Sequence, residues 1–428
     1  MSDPAAFFGS VAADHERCFW LDGGGAREWS GRRSIIGWLE DDDVSLSYDA
    51  GRREVCEHRG GRSSVVGEDV FEVLDSRLRS GEQWFGYFGY AARPDLPARP
   101  DPVLPDAVWM RPRRVRVFEH EPVLESPAHR GLRHQPAVAT PSRRQSHPGR
   151  GTDGAPEEYA AAFARVQEHL HAGNSYEVNL THRLTRETDL DPLTAYLRLR
   201  DLNPAPYAGF LQHDVADARA WLLSSSPERY ALITPDRHLE TKPIKGTTPR
   251  GLTPEEDDAQ RERLARDPKT RAENLMIVDL LRNDLSMVCE VGSVEVSALM
   301  QVESYASVHQ LVSTVRGRLR DDVSTVAALR ALFPAGSMTG APKLRTMQVI
   351  EEVEGTPRGA YAGAFGWISG DGPADLGVVI RSLMTDGSGT WTLGTGGGIT
   401  VKSDVEDEWE ESRWKADRLL RTLHVTPG

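Results

Sequence analysis

Runs of alternating or aromatic-rich apolar residues recur in the first part of the chain and predict β-strands. They lie at 18–21, 44–48, 83–90 and 114–118. Between the second and third runs, apolar residues with helical spacing share one face over 69–79, at Val70, Phe71, Leu74 and Leu78. That spacing predicts a helix. The first part of the chain is therefore expected to be rich in strands, with a helix inserted among them.

This pattern is lost between residues 126 and 156, where Pro, Gly, Ser, Arg and His dominate. A segment of this composition has too few apolar groups to pack, so we predict a flexible linker over 126–156. The linker follows an N-terminal strand-rich region, 1–125, which is expected to belong to the same fold. A second region, 157–428, holds the candidate chemistry.

Helices and strands intermingle in the second region without a regular βαβ rhythm. Helical spacing predicts a helix that ends near Gly173, a buried helix over 270–285 and a final helix that begins at Ser403. Strands are predicted at 176–181, 221–225, 230–234, 293–296, 311–315, 363–368, 378–383 and 391–393. This mixture favours an α+β fold with large antiparallel sheets over a doubly wound parallel sheet.

Composition limits the classes of function. The 428 residues are 39% hydrophobic, which is ordinary for a globular enzyme. No run approaches 18 apolar residues and no basic, then apolar, leader opens the chain, so we expect a cytoplasmic protein without membrane association. The net charge of −13 argues against nucleic-acid binding. Three cysteines far apart predict neither disulfides nor a zinc site.

The segment TKPIKGTTPR at 241–250 places a lysine where a reaction could use it. Pro243 stiffens the backbone and Gly246 lets it turn, so Lys245 is expected near a strand end. Only a neutral amine is a nucleophile, and a pKa of about 10.4 leaves roughly one lysine in a thousand neutral near pH 7.4. A nucleophilic Lys245 would need its pKa lowered by burial or by a cation such as Lys242. The alternative is an ordinary lysine that anchors a substrate carboxylate.

Two glutamates on the final predicted helix form part of a candidate metal site. Glu408 and Glu411 lie one turn apart, and Lys415 lies one turn further along the same face. Two carboxylates in this arrangement can hold Mg²⁺ through oxygen ligands, and the lysine can pair with Glu411 or reach a bound anion. The surrounding acidic residues equally fit a solvated helix start.

Two further charges lie in apolar surroundings and need partners. Glu273 is expected in the first turn of the buried helix, where an unpaired charge would cost several kcal/mol. Its partner is either a metal shared with the other glutamates or an arginine such as Arg271 or Arg282. Arg381 lies within the predicted strand 378–383, so an internal or a bound anion is expected there.

Two glycine-containing segments, 336–343 and 394–398, are expected to form turns that can present backbone N–H groups to an anion. Neither has the spacing of a Walker A loop or of a dinucleotide-binding loop. Together with the charged residues, these turns indicate a small polyanionic ligand bound through Mg²⁺, an arginine and backbone amides.

The motifs resemble those of the chorismate-utilising enzymes. The resemblance rests on GNSYEVNL at 173–180, SPER at 226–229, PIKGT at 243–247, AENLMIVDLLRND at 272–284, GSMTGAPK at 336–343 and EWEESRWK at 408–415. It is dense from about residue 157 to 423 and loose in the N-terminal third. The fold it implies is that of anthranilate synthase component I, two large, mainly antiparallel sheets packed as a sandwich with helices outside.

The resemblance also implies roles for individual residues. Glu273 and Glu411 would bind Mg²⁺ directly with Glu408 nearby, and the metal would hold the ring carboxylate of chorismate. The enolpyruvyl carboxylate would be held by Tyr361, Arg381 and the backbone of Gly396, Gly397 and Gly398. The other residues implied at the substrate are Gly246, Thr247, Ser337, Lys415, Glu177 and Gln310.

Lys245 places the chain nearest to the aminodeoxychorismate synthase component I branch of the family. By similarity, Lys245 attacks ring C2 as the C4 hydroxyl leaves, Glu228 is the general acid and base, and ammonia then adds at C4 and expels the lysine. The implied product is 4-amino-4-deoxychorismate, for p-aminobenzoate and folate synthesis. The sequence has no room for a Cys-His-Glu glutaminase, so ammonia is expected from a separate glutamine amidotransferase subunit or from solution.

Two positions depart from the family pattern. Glu177 replaces a glutamine found in many relatives and a lysine found in water-using ones, and Gln310 replaces a histidine. Gln310 cannot donate a proton, so Glu228, or His309 after rotation, would take that role. Other hypotheses are an anthranilate or aminodeoxyisochorismate synthase, which Lys245 disfavours, a non-catalytic chorismate-binding subunit, and a Mg²⁺-dependent phosphate-ester enzyme.

Overall fold

The computed structural model describes residues 3–23, 33–120, 154–305 and 308–424. The linker predicted over 126–156 lies outside these ranges except for its last three residues. None of the helices in the described ranges is both long enough and apolar enough to span a bilayer.

The described residues form nine α-helices, a short 3₁₀ helix (Gly336–Met338) and 21 strands. The helices are α1 (Pro4–Asp14), α2 (Val70–Arg77), α3 (Glu157–His171), α4 (Pro192–Leu202), α5 (Pro254–Arg266), α6 (Pro268–Ser286), α7 (Thr325–Leu332), α8 (Lys343–Val353) and α9 (Val405–Leu423). The strands are β1 (Arg17–Asp22), β2 (Arg33–Trp38), β3 (Val44–Asp49), β4 (Glu54–Arg59), β5 (Arg62–Gly67), β6 (Gln83–Phe88), β7 (Ala107–Arg111), β8 (Arg114–Glu119), β9 (Glu177–Glu187), β10 (Tyr207–His213), β11 (Ala220–Ser226), β12 (Arg229–Ile233), β13 (His238–Lys242), β14 (Ile244–Pro249), β15 (Glu295–Ser304), β16 (Val308–Arg318), β17 (Gly340–Ala341), β18 (Ala364–Ser369), β19 (Ala374–Val378), β20 (Ser382–Thr385) and β21 (Thr390–Ile399).

The strands form two antiparallel sheets. The first has the order β17-β9-β21-β20-β11-β10-β1-β2-β8, and the second has the order β14-β16-β13-β12-β19-β18-β6-β7-β3-β4-β5, with β15 paired to β16. Strands from the N-terminal region join both sheets, β1, β2 and β8 in the first and β3 to β7 in the second. The predicted α+β fold with two large antiparallel sheets is therefore confirmed.

The two sheets pack face to face around the main core. Phe19 on β1 stacks on Phe85 of β6, with 4.1 Å between the ring centroids. On β10, Gly209 leaves room for the ring of Phe365 on β18, which occupies the space a side chain would take. Apolar residues from both sheets continue this contact into one buried cluster. Burying such surface stabilises the fold by roughly 25 cal/mol per Å².

Helices cover the outer faces of the sheets. α1, α4 and α9 contribute to a second apolar cluster that includes Phe8, Tyr196 and Leu419. α3 and α8 form a third cluster with β9 and β21, around Val166 and Ile350. The helix that carries two of the candidate metal ligands, α9, is therefore anchored on the strand that lies beneath the candidate site.

Some local predictions differ from the structure. Asp404, and not Ser403, is the N-cap of α9, because its carboxylate accepts the first free backbone N–H groups of the helix. α6 is not buried all round, since Leu275 on it is 54% exposed. The predicted strand 378–383 is interrupted, because β19 belongs to the second sheet and β20 to the first. The glycine-rich segment 394–398 is not a turn but the end of β21.

Candidate active site

Two glycines of β21 lie beneath the candidate site, Gly398 beside Glu177 and Lys245, and Gly397 beside Glu408. A side chain at Gly398 would overlap the carboxylate of Glu177 and would lie 3.2 Å from Lys245 Nζ. A side chain at Gly397 would lie 3.3 Å from Glu408 Oε2. Glycine at these two positions lets charged groups from neighbouring elements rest directly on the backbone of the strand.

Lys245 is the second residue of β14, an edge strand of the second sheet. The next residue, Gly246, has a φ of 85°, and a Cβ there would lie 3.0 Å from Leu264 on α5. Glycine therefore allows β14 to bend against the helix. The Lys245 side chain is only 11% exposed, and its ammonium donates a hydrogen bond of 2.5 Å to Glu177 Oε1.

The charge state of Lys245 is set by opposing effects. Burial lowers its pKa, but nearby carboxylates, above all Glu177, outweigh burial and hold the pKa above its ordinary value. The expectation that Lys242 helps to lower this pKa is wrong, because the Lys242 ammonium lies 2.7 Å from Glu303. Without a ligand, Lys245 is therefore a protonated ammonium paired with Glu177.

Glu228 lies between β11 and β12 and is 5% exposed. Burial raises the pKa of its carboxyl to about 7, against the opposing influence of a hydrogen bond from Ser337 and of the charges on Lys245 and Arg381. Ser337 Oγ donates to Glu228 Oε1 at 2.6 Å. A carboxyl that titrates near neutral pH can both donate and accept a proton, which suits a general acid and base.

Lys269 joins two of the three predicted metal ligands. Its ammonium lies 2.9 Å from Glu408 Oε1 and 3.7 Å from Glu273 Oε1. Ser403 Oγ also donates to Glu408 Oε1, at 2.7 Å. Burial raises the pKa of Glu273 to about 7, and its buried Oε1 accepts no hydrogen bond from the described residues. One cation therefore already bridges the carboxylates of α6 and α9.

The third predicted metal ligand, Glu411, is 52% exposed and lies 2.8 Å from Lys415 Nζ. This lysine lowers the pKa of Glu411 and also donates to the backbone oxygen of Gly396, at 2.8 Å. The predicted pairing of Lys415 with Glu411 is confirmed. Lys415 thereby ties α9 to β21 at the edge of the candidate site.

The arginine partners considered for Glu273 are wrong. Arg271 donates to the backbone oxygen of Ala265, and Arg282 pairs with Asp279. α6 begins at Pro268, so Glu273 lies in its second turn rather than its first.

The predicted metal ligands suit Mg²⁺ in their chemistry. Within the described ranges, no three His, Cys, Asp or Glu side chains converge closely enough to hold a metal ion as they stand. Carboxylate oxygens are nevertheless the ligands that Mg²⁺ prefers. Glu273 and Glu408 already share a positive charge, supplied by Lys269, and one buried oxygen of Glu273 has no hydrogen-bond donor. The donor set therefore fits a cation.

Arg381 occupies the crossover between β19 of the second sheet and β20 of the first. Its φ of 50° is in the left-handed region, which a side chain rarely adopts without a structural reason. Within the described part of the chain, its guanidinium makes no hydrogen bond or ion pair. Burial, followed by repulsion from Arg418, lowers its pKa to about 10. An anion is the partner that this guanidinium lacks.

Gln310 and Thr247 face each other in the ladder between β14 and β16. Gln310 is buried and contributes to a pocket beside the site. The neighbouring His309 is held by Asp257 Oδ1 at 3.0 Å and by Ser304 Oγ at 2.8 Å. Its two ring nitrogens are thus engaged, so rotation of His309 into the site would break both contacts. Glu228 is the better placed proton donor.

A buried ion pair that the sequence did not suggest connects three parts of the site. Arg358 donates to the carboxylate of Glu354 and to the backbone oxygens of Met338 and Asn179. Tyr361, three residues further on, is buried with its ring where a side chain of residue 394 would lie. Arg358 lies in an irregular loop, so neither spacing nor periodicity pointed to it. Lys269, by contrast, could have been found from its position four residues before Glu273 on a helix.

The fold and this site define an α+β protein of the two-sheet type found in anthranilate synthase component I. The structure is similar to that enzyme from Streptococcus pneumoniae TIGR4, with a TM-score of 0.71 and 26% identity, over 91% of this chain and 92% of that chain. Residues 16–421 match the family described as chorismate binding enzyme. The chain therefore belongs to the chorismate binding enzyme family, and the resemblance noted in its sequence is confirmed.

Two similar proteins are named aminodeoxychorismate synthase. The one from Streptomyces griseus is 54% identical over 265 residues, which are 61% of this chain and 36% of that protein. The one from Streptomyces pristinaespiralis is 38% identical over an aligned length of 463 residues, which covers 98% of this chain and 64% of that protein. The chain thus spans about one third to two thirds of the length of these relatives.

Proposed function

We propose that the protein aminates chorismate with ammonia to give 4-amino-4-deoxychorismate, as aminodeoxychorismate synthase component I does. The observation that carries this proposal is the buried amine of Lys245, 2.5 Å from Glu177, in a chorismate binding enzyme. The names of the two Streptomyces relatives support the same reaction. Glu177 already neutralises Lys245, which disfavours the alternative in which this lysine only anchors a substrate carboxylate.

Chorismate has two carboxylates, and the site offers a place for each. Mg²⁺ held by Glu273 and Glu411, with Glu408 nearby, would supply positive charge against the ring carboxylate. The enolpyruvyl carboxylate would lie against Arg381, whose guanidinium has no partner among the described residues, and near Tyr361. The ring would then lie above the glycines of β21, within reach of the reactive amine.

The lysine must lose a proton before its nitrogen can form a bond to carbon. Glu177 is the carboxylate placed to accept that proton, which gives a role to a residue that departs from the family pattern. The neutral amine of Lys245 then attacks ring C2, and the C4 hydroxyl leaves as water with a proton from Glu228. Ammonia adds at C4 while the lysine nitrogen leaves C2. The proton that the new amine loses returns to Glu228.

The ammonia is proposed to come from a separate glutamine amidotransferase subunit or directly from solution. Hydrolysis of glutamine by a cysteine needs a reactive thiolate, which a lowered pKa provides. Burial instead raises the pKa of the thiols of Cys18, Cys56 and Cys289. These thiols are therefore poorly suited to that step.

The product of the proposed reaction, 4-amino-4-deoxychorismate, would supply p-aminobenzoate and folate synthesis.

The proposal is tested by incubating the protein with chorismate, Mg²⁺ and ammonium and identifying the product by mass and ultraviolet spectrum. We expect 4-amino-4-deoxychorismate from the wild type. Lys245→Ala should reduce its formation by at least about a hundredfold, since the covalent route is lost. Lys402→Ala, which removes an exposed lysine outside the site, is the matched control and should leave the rate unchanged.

Other outcomes distinguish the other hypotheses. Anthranilate or an aminodeoxyisochorismate as the main product would identify a different chorismate enzyme. Binding of chorismate without turnover would identify a non-catalytic subunit. Release of phosphate from phosphate esters would identify a Mg²⁺-dependent phosphate-ester enzyme. Full activity of Lys245→Ala would exclude the covalent mechanism. Repeating the assay with glutamine and a class I glutamine amidotransferase in place of ammonium tests the proposed partner.

A further inference from the structure

A pocket beside the candidate site has several cationic side chains in its wall. It is partly open to solvent. The side chains in its wall include Asn203, Gln310, Arg381, Trp414, Lys415 and Arg418. No Asp or Glu of the described residues is among those that line the pocket. The pocket is therefore suited to a negatively charged ligand.

Two of these cations lack a carboxylate partner among the described residues. The guanidinium of Arg381 makes no polar contact there, and that of Arg418 makes only a long hydrogen bond of 3.4 Å to Asn203 Oδ1. The acid next to Arg418 in sequence, Asp417, pairs instead with Arg421 at 2.6 Å. Glu228 acts on the charge of Arg381 and Asp417 acts on that of Arg418, but no carboxylate of the described residues forms a salt bridge with either guanidinium.

Asn203 holds Arg418 at the pocket. Asn203 is 6% exposed, and its Nδ2 donates to Ser225 Oγ at 2.8 Å and to the backbone oxygen of the same serine at 3.3 Å. These bonds fix the amide, so its oxygen remains directed to Arg418. The guanidinium is thus positioned by a rigid acceptor rather than extended freely into solvent.

Two like charges in one partly buried pocket repel each other, and an anion between them removes that repulsion. The effect is seen at Arg381, whose pKa is lowered first by burial and then by Arg418. A planar guanidinium also matches a carboxylate in shape and in the direction of its N–H groups. A carboxylate is thus the chemical group that this pair of arginines fits.

We propose that Arg418 is a substrate-binding residue that shares the second carboxylate of the substrate with Arg381, with Asn203 as its positioning residue. The proposal rests on the proposed function, because chorismate is the dianion that would place one carboxylate at the glutamates and the other here. It extends the site beyond the residues implied by the sequence, none of which is Arg418 or Asn203. The pair selects dianionic over monoanionic substrates.

The test is a titration of chorismate in the presence of Mg²⁺ and the absence of ammonium, followed by tryptophan fluorescence. Trp414 lies in the pocket wall, and Trp414→Phe identifies its signal among the ten tryptophans. Arg418→Gln should raise the Kd for chorismate about tenfold or more and weaken its dependence on salt, as expected for loss of a charge-assisted hydrogen bond. Arg418→Lys keeps the charge but loses the planar fork of N–H groups, so its Kd should lie between those of the wild type and Arg418→Gln.

Arg413→Gln is the matched control, because Arg413 is an exposed arginine on the same helix and does not line the pocket. Its Kd should equal that of the wild type, and far-ultraviolet circular dichroism should show the same fold for all variants. An unchanged Kd for Arg418→Gln beside a wild type that binds chorismate would overturn this proposal alone. A wild type that does not bind chorismate would overturn the proposed function as well.

Discussion

Glu228 is expected to destabilise the folded protein above neutral pH. Burial raises the pKa of its carboxyl from the ordinary 4.5 to about 7. At about 1.4 kcal/mol per pKa unit, this difference corresponds to roughly 3 kcal/mol. The folded state binds the proton more tightly than the unfolded state does. The free energy of unfolding therefore falls as pH rises from about 4.5 through about 7, and the loss is complete above that range.

Glu228→Gln should remove this pH dependence, because glutamine has the shape of the protonated acid and can still accept the hydrogen bond from Ser337. Relative to the wild type, the free energy of unfolding of the variant should be about 2 to 3 kcal/mol more favourable at pH 8 than at pH 5. Effects of the substitution that do not depend on pH cancel in this comparison. The same variant should lose roughly a hundredfold or more in turnover, because the proton donor is gone.

The measurement is equilibrium urea unfolding at pH 5 and pH 8, without Mg²⁺ or chorismate, followed by far-ultraviolet circular dichroism. Glu168→Gln, at an exposed position on α3, is the matched control and should change stability by less than about 0.5 kcal/mol at either pH. An equal effect of Glu228→Gln at both pH values would refute the reasoning. So would a larger stabilisation at pH 5, since burial would then not be the cause of the raised pKa.

Two further substitutions test the electrostatics of the site. Lys269→Met should increase the affinity for Mn²⁺ about tenfold, because a cation that competes for the buried carboxylates is removed. The affinity is measured by electron paramagnetic resonance without chorismate. Weaker binding, or the same gain in the exposed control Lys402→Met, would contradict this prediction. Ser337→Ala removes a hydrogen bond that lowers the pKa of Glu228. In the pH profile of kcat/KM, the limb that reports the titration of Glu228 should therefore move up by about one pH unit. The exposed control Ser286→Ala should leave this limb in place.

Periodicity predicted most of the secondary structure because each signal involves neighbours in sequence. The strands that became β1, β3, β6 and β8, and the helices that became α2 and α3, follow from apolar spacing alone. The errors occur where a distant part of the chain decides. The strand predicted over 378–383 is broken because its two ends pair in different sheets, which leaves Arg381 between them in a left-handed conformation. The glycine-rich end of β21 is a strand because β9 pairs with it along its whole length.

In the candidate site, too, local features could be predicted from the sequence, whereas contacts between distant residues could not. The sequence singled out Lys245 by its place between a proline and a glycine. It singled out Glu273 and Arg381 as charges beside apolar residues, and Glu408 and Glu411 as two carboxylates one turn apart. Apart from Glu411 and Lys415, which are neighbours on one helix, it could not show which charges would meet. That Glu177 rather than Lys242 determines the charge on Lys245 depends on the packing of two strands from different sheets.

The sequence by itself therefore determined the fold class, the family and the residue types available for chemistry, because these depend on composition, spacing and motif order. Only the tertiary structure decided the protonation of Lys245, the raised pKa of Glu228, the bridging position of Lys269 and the pocket that brings Arg418 beside Arg381. The physical reason is that pKa values and ion pairs depend on burial and on distances of a few ångströms. Such distances are fixed when residues far apart in the chain pack together.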